Sequence, residues 1–364
     1  MWIRMLVGIY MPAGTIQRGA LPPVDGLETY FLRHAIQGIA DSKTNTDTQF
    51  VWFYEEGEEP PLHEVPCEAI RRPASLFTLS HGSAPTLEEA VVNRQVDVLL
   101  TRIDAPQPLP RNVPKVLFVL DMYFQGEAQI VRTPAPPLHR KIKQACNEAK
   151  SILCPSEYVH KTCSSRLGMG LEKAVVARPG VNPVFKEPQG SIIDGPFALY
   201  VLNRYTESGI PTLLNAIEKN RELFPPTLVV LGNVRGKEPD DWGIPVVRIE
   251  RCPDAMTASL MQNARMCIYL TKGEGSGMTV LQAMTAGAML VTTKLGANFE
   301  VAGMVPFYCE PDNSYSLLQV LHRMLDESPK EREKRRQMAH SLIVDLTWER
   351  CGTKVVSALK RSQL

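Results

Sequence analysis

The chain has 364 residues, 44% hydrophobic and 22% charged, with 40 Lys plus Arg against 39 Asp plus Glu for a formal net charge of +1. That length exceeds the ~100–200 residues of one typical domain and predicts two. The near-neutral balance is that of an ordinary soluble globular protein and speaks against a surface that coats nucleic acid, which needs a marked basic excess.

In chain order, the opening MWIRMLVGIYMPAG has an apolar stretch interrupted by Arg4. It ends at Pro12 without a small-residue cleavage site, so it reads as a first β-strand rather than an export signal. Further strands are expected at TQFVWFY, VDVLLTRI, KVLFVLD, SILCPS and AVVARPG. Between the first two, GLETYFLRHAIQGIADS places Leu27, Phe31, Leu32, Ala35, Ile36 and Ile39 at helical spacing. PTLEEAVVNRQ and PLHRKIKQACNEAK read as further helices. The Gly- and Pro-rich stretch FKEPQGSIIDGPF, at about 185–197, reads as a hinge. A second series follows: strand FALYVLN, helix PTLLNAIEKN, strands TLVVLGN and VVRIE, helix DAMTASLMQNA, strand MCIYLT, helix MTVLQAMTAG, strand AMLVTT and helices from about 314. The mixed-sign run PKEREKRRQ reads as a solvated helix face. The eight cysteines form no C-x-x-C pair and have no histidines at zinc spacing, which fits buried, reduced thiols in a reducing cytosol. No apolar run approaches the ~18 residues that span a bilayer. The chain is therefore expected to be cytoplasmic, or at most peripheral at the inner face of a membrane.

Two successive α/β series joined by an irregular segment predict two Rossmann-like doubly wound domains facing across a cleft. Open parallel sheets bind ligands beyond the carboxyl ends of their strands, so the residues after each strand are the candidates. The most informative stretch is YLTKGEGSGMTVLQAMTAGAMLVTT at 269–293. A buried strand runs into a turn containing Gly273, Gly275 and Gly277, and the turn opens directly into a helix. Backbone without Cβ atoms admits close approach of a ligand, and unpaired amides at a helix start suit a diphosphate. Glu274 in the turn and Gln282 on the helix are groups that grip sugar and ribose hydroxyls. A turn of this kind is also a common structural device, and its context decides between the readings.

The stretch EGSGMTVLQAMTAGAMLV resembles the E-G-F-G-L-P-x-L-E-A-M-A-x-G-x-P-V signature of glycosyltransferase family 4, the group 1 glycosyltransferases, which are retaining enzymes of GT-B fold. LCPSEYVHKTCSSRLGMGLEKAVVARPGVNPVF, FALYVLNRYTESGIPTLLNAI, GANFE (296–300) and LTWE resemble other elements of that family, in family order, from about 150 to 350. The first 150 residues match only in general shape. The resemblance implies residues 1–185 as an acceptor-side domain, 186–345 as the nucleotide-sugar donor domain, and a C-terminal helix at 346–364 crossing back. It implies transfer of a sugar, with retention, from a UDP- or GDP-linked donor to a glycan, lipid or small-molecule acceptor. No metal and no cofactor beyond the nucleotide diphosphate sugar as co-substrate are implied. Carried over, Arg204 reaches the donor diphosphate, Glu274 contacts the donor sugar, and the amides of Gly275, Ser276, Gly277 and Met278 line the sugar and phosphate site. Gln282 stands where a glutamate binds ribose hydroxyls, and Asp121 faces the transferred sugar. Glu274, Arg204 and Asp121 are thus the candidate catalytic residues.

Three positions depart from the family pattern. An amide stands at Gln282, Ser208 is near the place of a lysine, and Leu120 replaces a histidine. Lys272 and Lys294 are candidates to supply the absent cation. The departures also fit a catalytically silent GT-B-like protein acting as a binding or partner subunit. A Rossmann oxidoreductase is disfavoured, because no first strand leads into G-x-G-x-x-G with an acidic residue ~20 positions on. Asp104, as well placed as Asp121, reads rather as structural, Glu300 reads equally as a polar residue at a helix start, and Asp25-Gly26, half of a family Gly-Gly loop, is a weak candidate to meet donor or acceptor. His34 and His81 are read as structural. HRKIK at 139–143 is either a solvated helix face or a contact for an anionic membrane surface.

Overall fold

Apolar runs become strands here because each sheet is covered by helices on both faces. The computed structural model describes residues 5–11, 27–41, 47–58, 65–71, 84–103, 105, 109–121, 136–168, 170–203, 205–233, 239 and 241–363. The chain falls into two compact units, one comprising 1–120, 134–180 and 348–364, the other 121–133 and 181–347.

The first unit is built on a parallel sheet of seven strands: β1 (Met5–Tyr10), β2 (Thr48–Glu55), β3 (Cys67–Ile70), β4 (Val98–Arg102), β5 (Lys115–Phe118), β6 (Ser151–Cys154) and β7 (Ala174–Val176). Their order is β3-β2-β1-β4-β5-β6-β7. Helices α1 (Leu27–Asp41), α2 (Leu87–Asn93), α3 (Pro136–Glu148) and α4 (Glu157–Leu167) complete the series. Thr86 and Glu89 form a reciprocal capping box at the start of α2. The expected strand SILCPS stops at Cys154, because the hydroxyl of Ser156 accepts from the Val159 amide and starts α4 instead. Strand β3 was not among the expected runs. It is a four-residue edge strand directly after Pro66, too short to show an alternation.

The second unit repeats the plan. Six parallel strands, β8 (Phe197–Val201), β9 (Thr227–Leu231), β10 (Val246–Ile249), β11 (Met266–Tyr269), β12 (Leu290–Thr292) and β13 (Phe307–Tyr308), lie in the order β10-β9-β8-β11-β12-β13. Between and after them come α5 (Ile210–Lys219), α6 (Asp254–Asn263), α7 (Met278–Thr285), α8 (Asn298–Ala302), α9 (Ser314–Leu325) and α10 (Pro329–Ile343). Period-two alternation sorts β8 into two cores. Phe197, Leu199 and Val201 join the layer that holds Val280, Leu281 and Met284 of α7, while Ala198 and Tyr200 join the layer of α5 and α9. Burying each large apolar side chain contributes roughly 1.5–3 kcal/mol, so both layers are needed to hold the sheet.

The final helix, α11 (Trp348–Arg361), belongs to the first unit and packs on α1. The contact is close enough that a Cβ on Gly352 would stand 2.7 Å from the Ala35 carbonyl oxygen, and one on Gly38 would meet the Trp348 backbone at 2.4 Å. The Trp348 ring lies edge-on to Phe31 at 5.6 Å and beside His34 at 5.2 Å, so His34 is part of this packing. His81 lies outside the described residues. All eight cysteines are free, and burial pushes the thiols of Cys146, Cys267 and Cys309 up to about 12. Among the described residues, no helix is long and apolar enough to cross a membrane.

Candidate functional site

In the second sheet, strand order reverses between β8 and β11, which lie side by side. The loops leaving their carboxyl ends diverge to opposite faces, and an open α/β sheet binds ligands at such a point. The loop after β8 carries Asn203 and Tyr205, and that after β11 carries Lys272 to Gly277. Arg204 itself, the expected diphosphate ligand, lies outside the described residues, as do Asp25, Gly26 and Asp104.

The two loops are fastened together on either side of position 204. The Asn203 side-chain amide donates to the Tyr269 hydroxyl at 3.1 Å, and the Lys272 amide donates to the Tyr205 carbonyl at 3.3 Å. Asn203 also accepts from the Tyr205 amide at 2.9 Å. Gly209, at the start of α5, sits against Leu270, where a Cβ would come within 2.7 Å of the leucine carbonyl. Two more glycines knit the turn to the next loop. Gly277 has φ +69 and would bring a Cβ to 2.7 Å from Val301, while Gly296 has φ +65 and would bring one to 2.3 Å from the Glu274 carbonyl oxygen. The Ala297 amide donates to that same oxygen at 2.8 Å. Gly273 differs from both, since a Cβ there would meet nothing within 4 Å. Lys272 and Gly273 are also the only half-buried residues of 271–277, the rest being buried. The open side of the turn is therefore at 272–273.

Glu274 is 1% exposed, and its carboxyl group is turned into the protein. The Tyr269 hydroxyl donates to one of its oxygens at 2.6 Å and the Ser276 hydroxyl to the other at 2.9 Å. The first amides of α7, from Met278 and Thr279, also bond to it. Burial raises its pKa above the ordinary carboxylate value, and these hydrogen bonds pull the other way. Expectation put the α7 amides around a ligand diphosphate; in the structure the Met278 amide is satisfied by Glu274 and by the Ser276 hydroxyl at 3.3 Å. The physical reason is that buried amides at a helix start need acceptors, and the chain provides one internally. Gly275 and Gly277 are buried beside it, and Gln282 is half-buried on α7.

Asp121 goes with the second unit and is 8% exposed, and the Tyr205 hydroxyl donates to its carboxylate. Leu120 is buried. The Ser208 hydroxyl is buried without a hydrogen-bond partner. Lys272 pairs with Asp312 at 2.6 Å, whereas Lys294 lies over the rings of Phe299 and Tyr308, 5.4 Å from each centroid. Glu300 lies on α8, in its first turn. The structure thus brings Glu274, Ser276, Gly277 and Met278 together. It adds Asn203 and Tyr269, which sequence reasoning missed. The signal available was a tyrosine at the end of an otherwise wholly apolar strand, where a buried hydroxyl must find a partner.

Comparison with known proteins gives the following. The family model described as Glycosyl transferases group 1 matches residues 196–327. Glycogen synthase of Mycobacterium tuberculosis is 23% identical over 237 residues, 59% of this chain and 56% of that protein, so the chain spans about half the length of this curated relative. Among solved structures, sucrose-phosphate synthase from Thermosynechococcus elongatus is similar with a TM-score of 0.73 at 13% identity, covering 98% of this chain and 99% of that one. The Anabaena protein HepE, solved in complex with UDP, has a TM-score of 0.70 at 14% identity, covering 98% and 99%. The architecture is the two-domain α/β fold of these proteins, GT-B.

Proposed function

We propose that the chain, whose residues 196–327 match the family model of the group 1 glycosyl transferases, transfers a sugar from a nucleotide diphosphate sugar to an acceptor, with retention at the anomeric carbon. One observation carries the reading: the open corner of a glycine turn, Lys272 and Gly273, stands where the second sheet reverses and is bonded to the loop that carries Arg204. A diphosphate needs cations and close backbone, and this corner offers both. Arg204 offsets the charge that grows on the departing diphosphate, a stabilisation made stronger where water is excluded. Asp121, whose carboxylate accepts from the Tyr205 hydroxyl of that loop, is the acidic group that faces the transferred sugar in this reading. UDP is the first nucleotide to try, as the one bound in the Anabaena relative.

A thermal-shift series with UDP, GDP and their sugars tests this on the native chain and on Arg204→Ala. One nucleotide class is expected to raise the melting temperature, and the arginine change to abolish the effect. A native chain that responds to neither class sinks the donor-site reading. A second reading, a silent binding protein of the same fold, is favoured by the engagement of both Glu274 carboxyl oxygens with Tyr269 and Ser276. Release of free nucleotide from the sugar nucleotide that binds separates the two, since a silent protein binds without releasing it.

A further inference from the structure

Lys272 is the cation of the glycine turn, placed one residue before the open Gly273. Its backbone is fixed by the amide bond to the Tyr205 carbonyl. Its ammonium is 2.6 Å from an oxygen of Asp312, with side-chain exposures of 18% for the lysine and 54% for the aspartate. Beside the pair is a cavity of about 10 Å³, lined also by Gly209, Thr212 and Glu310. That is room for roughly one water, and both members of the pair line it. Asp312 has φ +54, a conformation that costs free energy for a residue with a side chain. It directly precedes Asn313, whose side chain accepts from the Ser316 amide and caps α9.

An ion pair with one partner more than half exposed adds little to stability, so folding alone gives little reason for this arrangement. Ligand binding gives a better one. A diphosphate carries more charge than a carboxylate and competes strongly for the same ammonium. We propose that Lys272 is a ligand of the donor diphosphate and that Asp312 is its resting counter-ion, exchanged for phosphate oxygen when the donor binds. The proposal rests on the donor-site reading above. It separates Lys272 from Lys294, whose ammonium is stacked on Phe299 and Tyr308.

The test is calorimetric titration of UDP and GDP into the full chain, native and carrying Lys272→Met, Lys272→Arg or Asp312→Asn, with the ligand-free melting of each variant recorded. Lys272→Met is expected to weaken binding at least about tenfold, and Lys272→Arg to keep most of it. Asp312→Asn is expected to tighten binding by up to about fivefold. A purely structural pair would lower both melting temperatures and leave the affinities alone, or move them in one direction together. Either of those results, in a native chain that does bind nucleotide, overturns the proposal while the donor site stands. A native chain that binds neither nucleotide takes both down. If Lys272→Met does not fold, the exposed Asp312→Asn decides alone, by tightening or not.

Discussion

At the scale of single residues, the glycines of the turn and of the loop that packs on it divide by what surrounds them. Gly296 needs both its left-handed backbone, at φ +65, and its missing Cβ, which would press on the Glu274 carbonyl at 2.3 Å. Gly296→Ala is expected to cost more than about 2 kcal/mol, read as a drop in denaturation midpoint. Gly273→Ala meets open space, so its stability should change by less than about 0.5 kcal/mol while nucleotide affinity falls. Unchanged affinity in that variant would argue that ligand does not approach the turn. Glu274 makes a second prediction. Its folded pKa is raised above 4.5, chiefly by burial, so between the unfolded and folded values the native chain holds a proton that the unfolded chain has lost. That contribution is fully present below the unfolded pKa and is lost as pH rises through the folded pKa. Glu274→Gln removes it, so melting temperature plotted against pH upward from about 4.5 should fall less steeply than in the native chain. Parallel curves would mean that Glu274 does not titrate in that window. Neither glycine's role was legible from composition, since the glycines of GEGSG and GANFE read alike as permissive. The neighbours that make one position crowded and another open come from residues 20 or more positions away.

At the scale of elements, the long periodic segments behaved as their patterns predicted. FALYVL, LVVL and MCIY are wholly apolar and became interior strands, and the segments read as α1, α5 and α9 became helices. The misses are the helix α4, which buries Val159, Cys163 and Leu167 among eleven largely polar residues, and the short elements β3, β13 and α8, at four, two and five residues. Fewer than two turns or two alternations carry no period, and such segments take their form from the neighbour they pack against. Helix α11 is the informative case. Its sequence shows an amphipathic helix, but the partner is chosen by fit: Gly352 lets the helix approach Ala35 and Ile39 of α1, and Trp348 closes against Phe31 and His34. Gly352→Val should force the helices apart and lower stability by roughly 1–3 kcal/mol, visible as earlier melting, with nucleotide affinity unaffected because the contact lies in the other unit. A variant that loses nucleotide binding at unchanged stability would contradict this.

At the scale of the whole molecule, both sheets run outward from a central reversal, β1 beside β4 and β8 beside β11, from sequences with no evident repeat. Alternation of apolar runs with helical segments was enough to expect two parallel-sheet units, because a parallel crossover requires a helix and each buried strand requires covering on two faces. The sequence alone also determined the candidate motif after β11, since that motif is contiguous and its glycines are local. Only the tertiary structure decided which way the side chains of that motif turn. Glu274 faces inward onto Tyr269, Ser276 and the α7 amides, and Lys272 faces the cavity and Asp312. Contiguous residues share a backbone path, whereas the direction and charge state of a side chain are set by partners brought from distant parts of the chain, and spacing does not encode those.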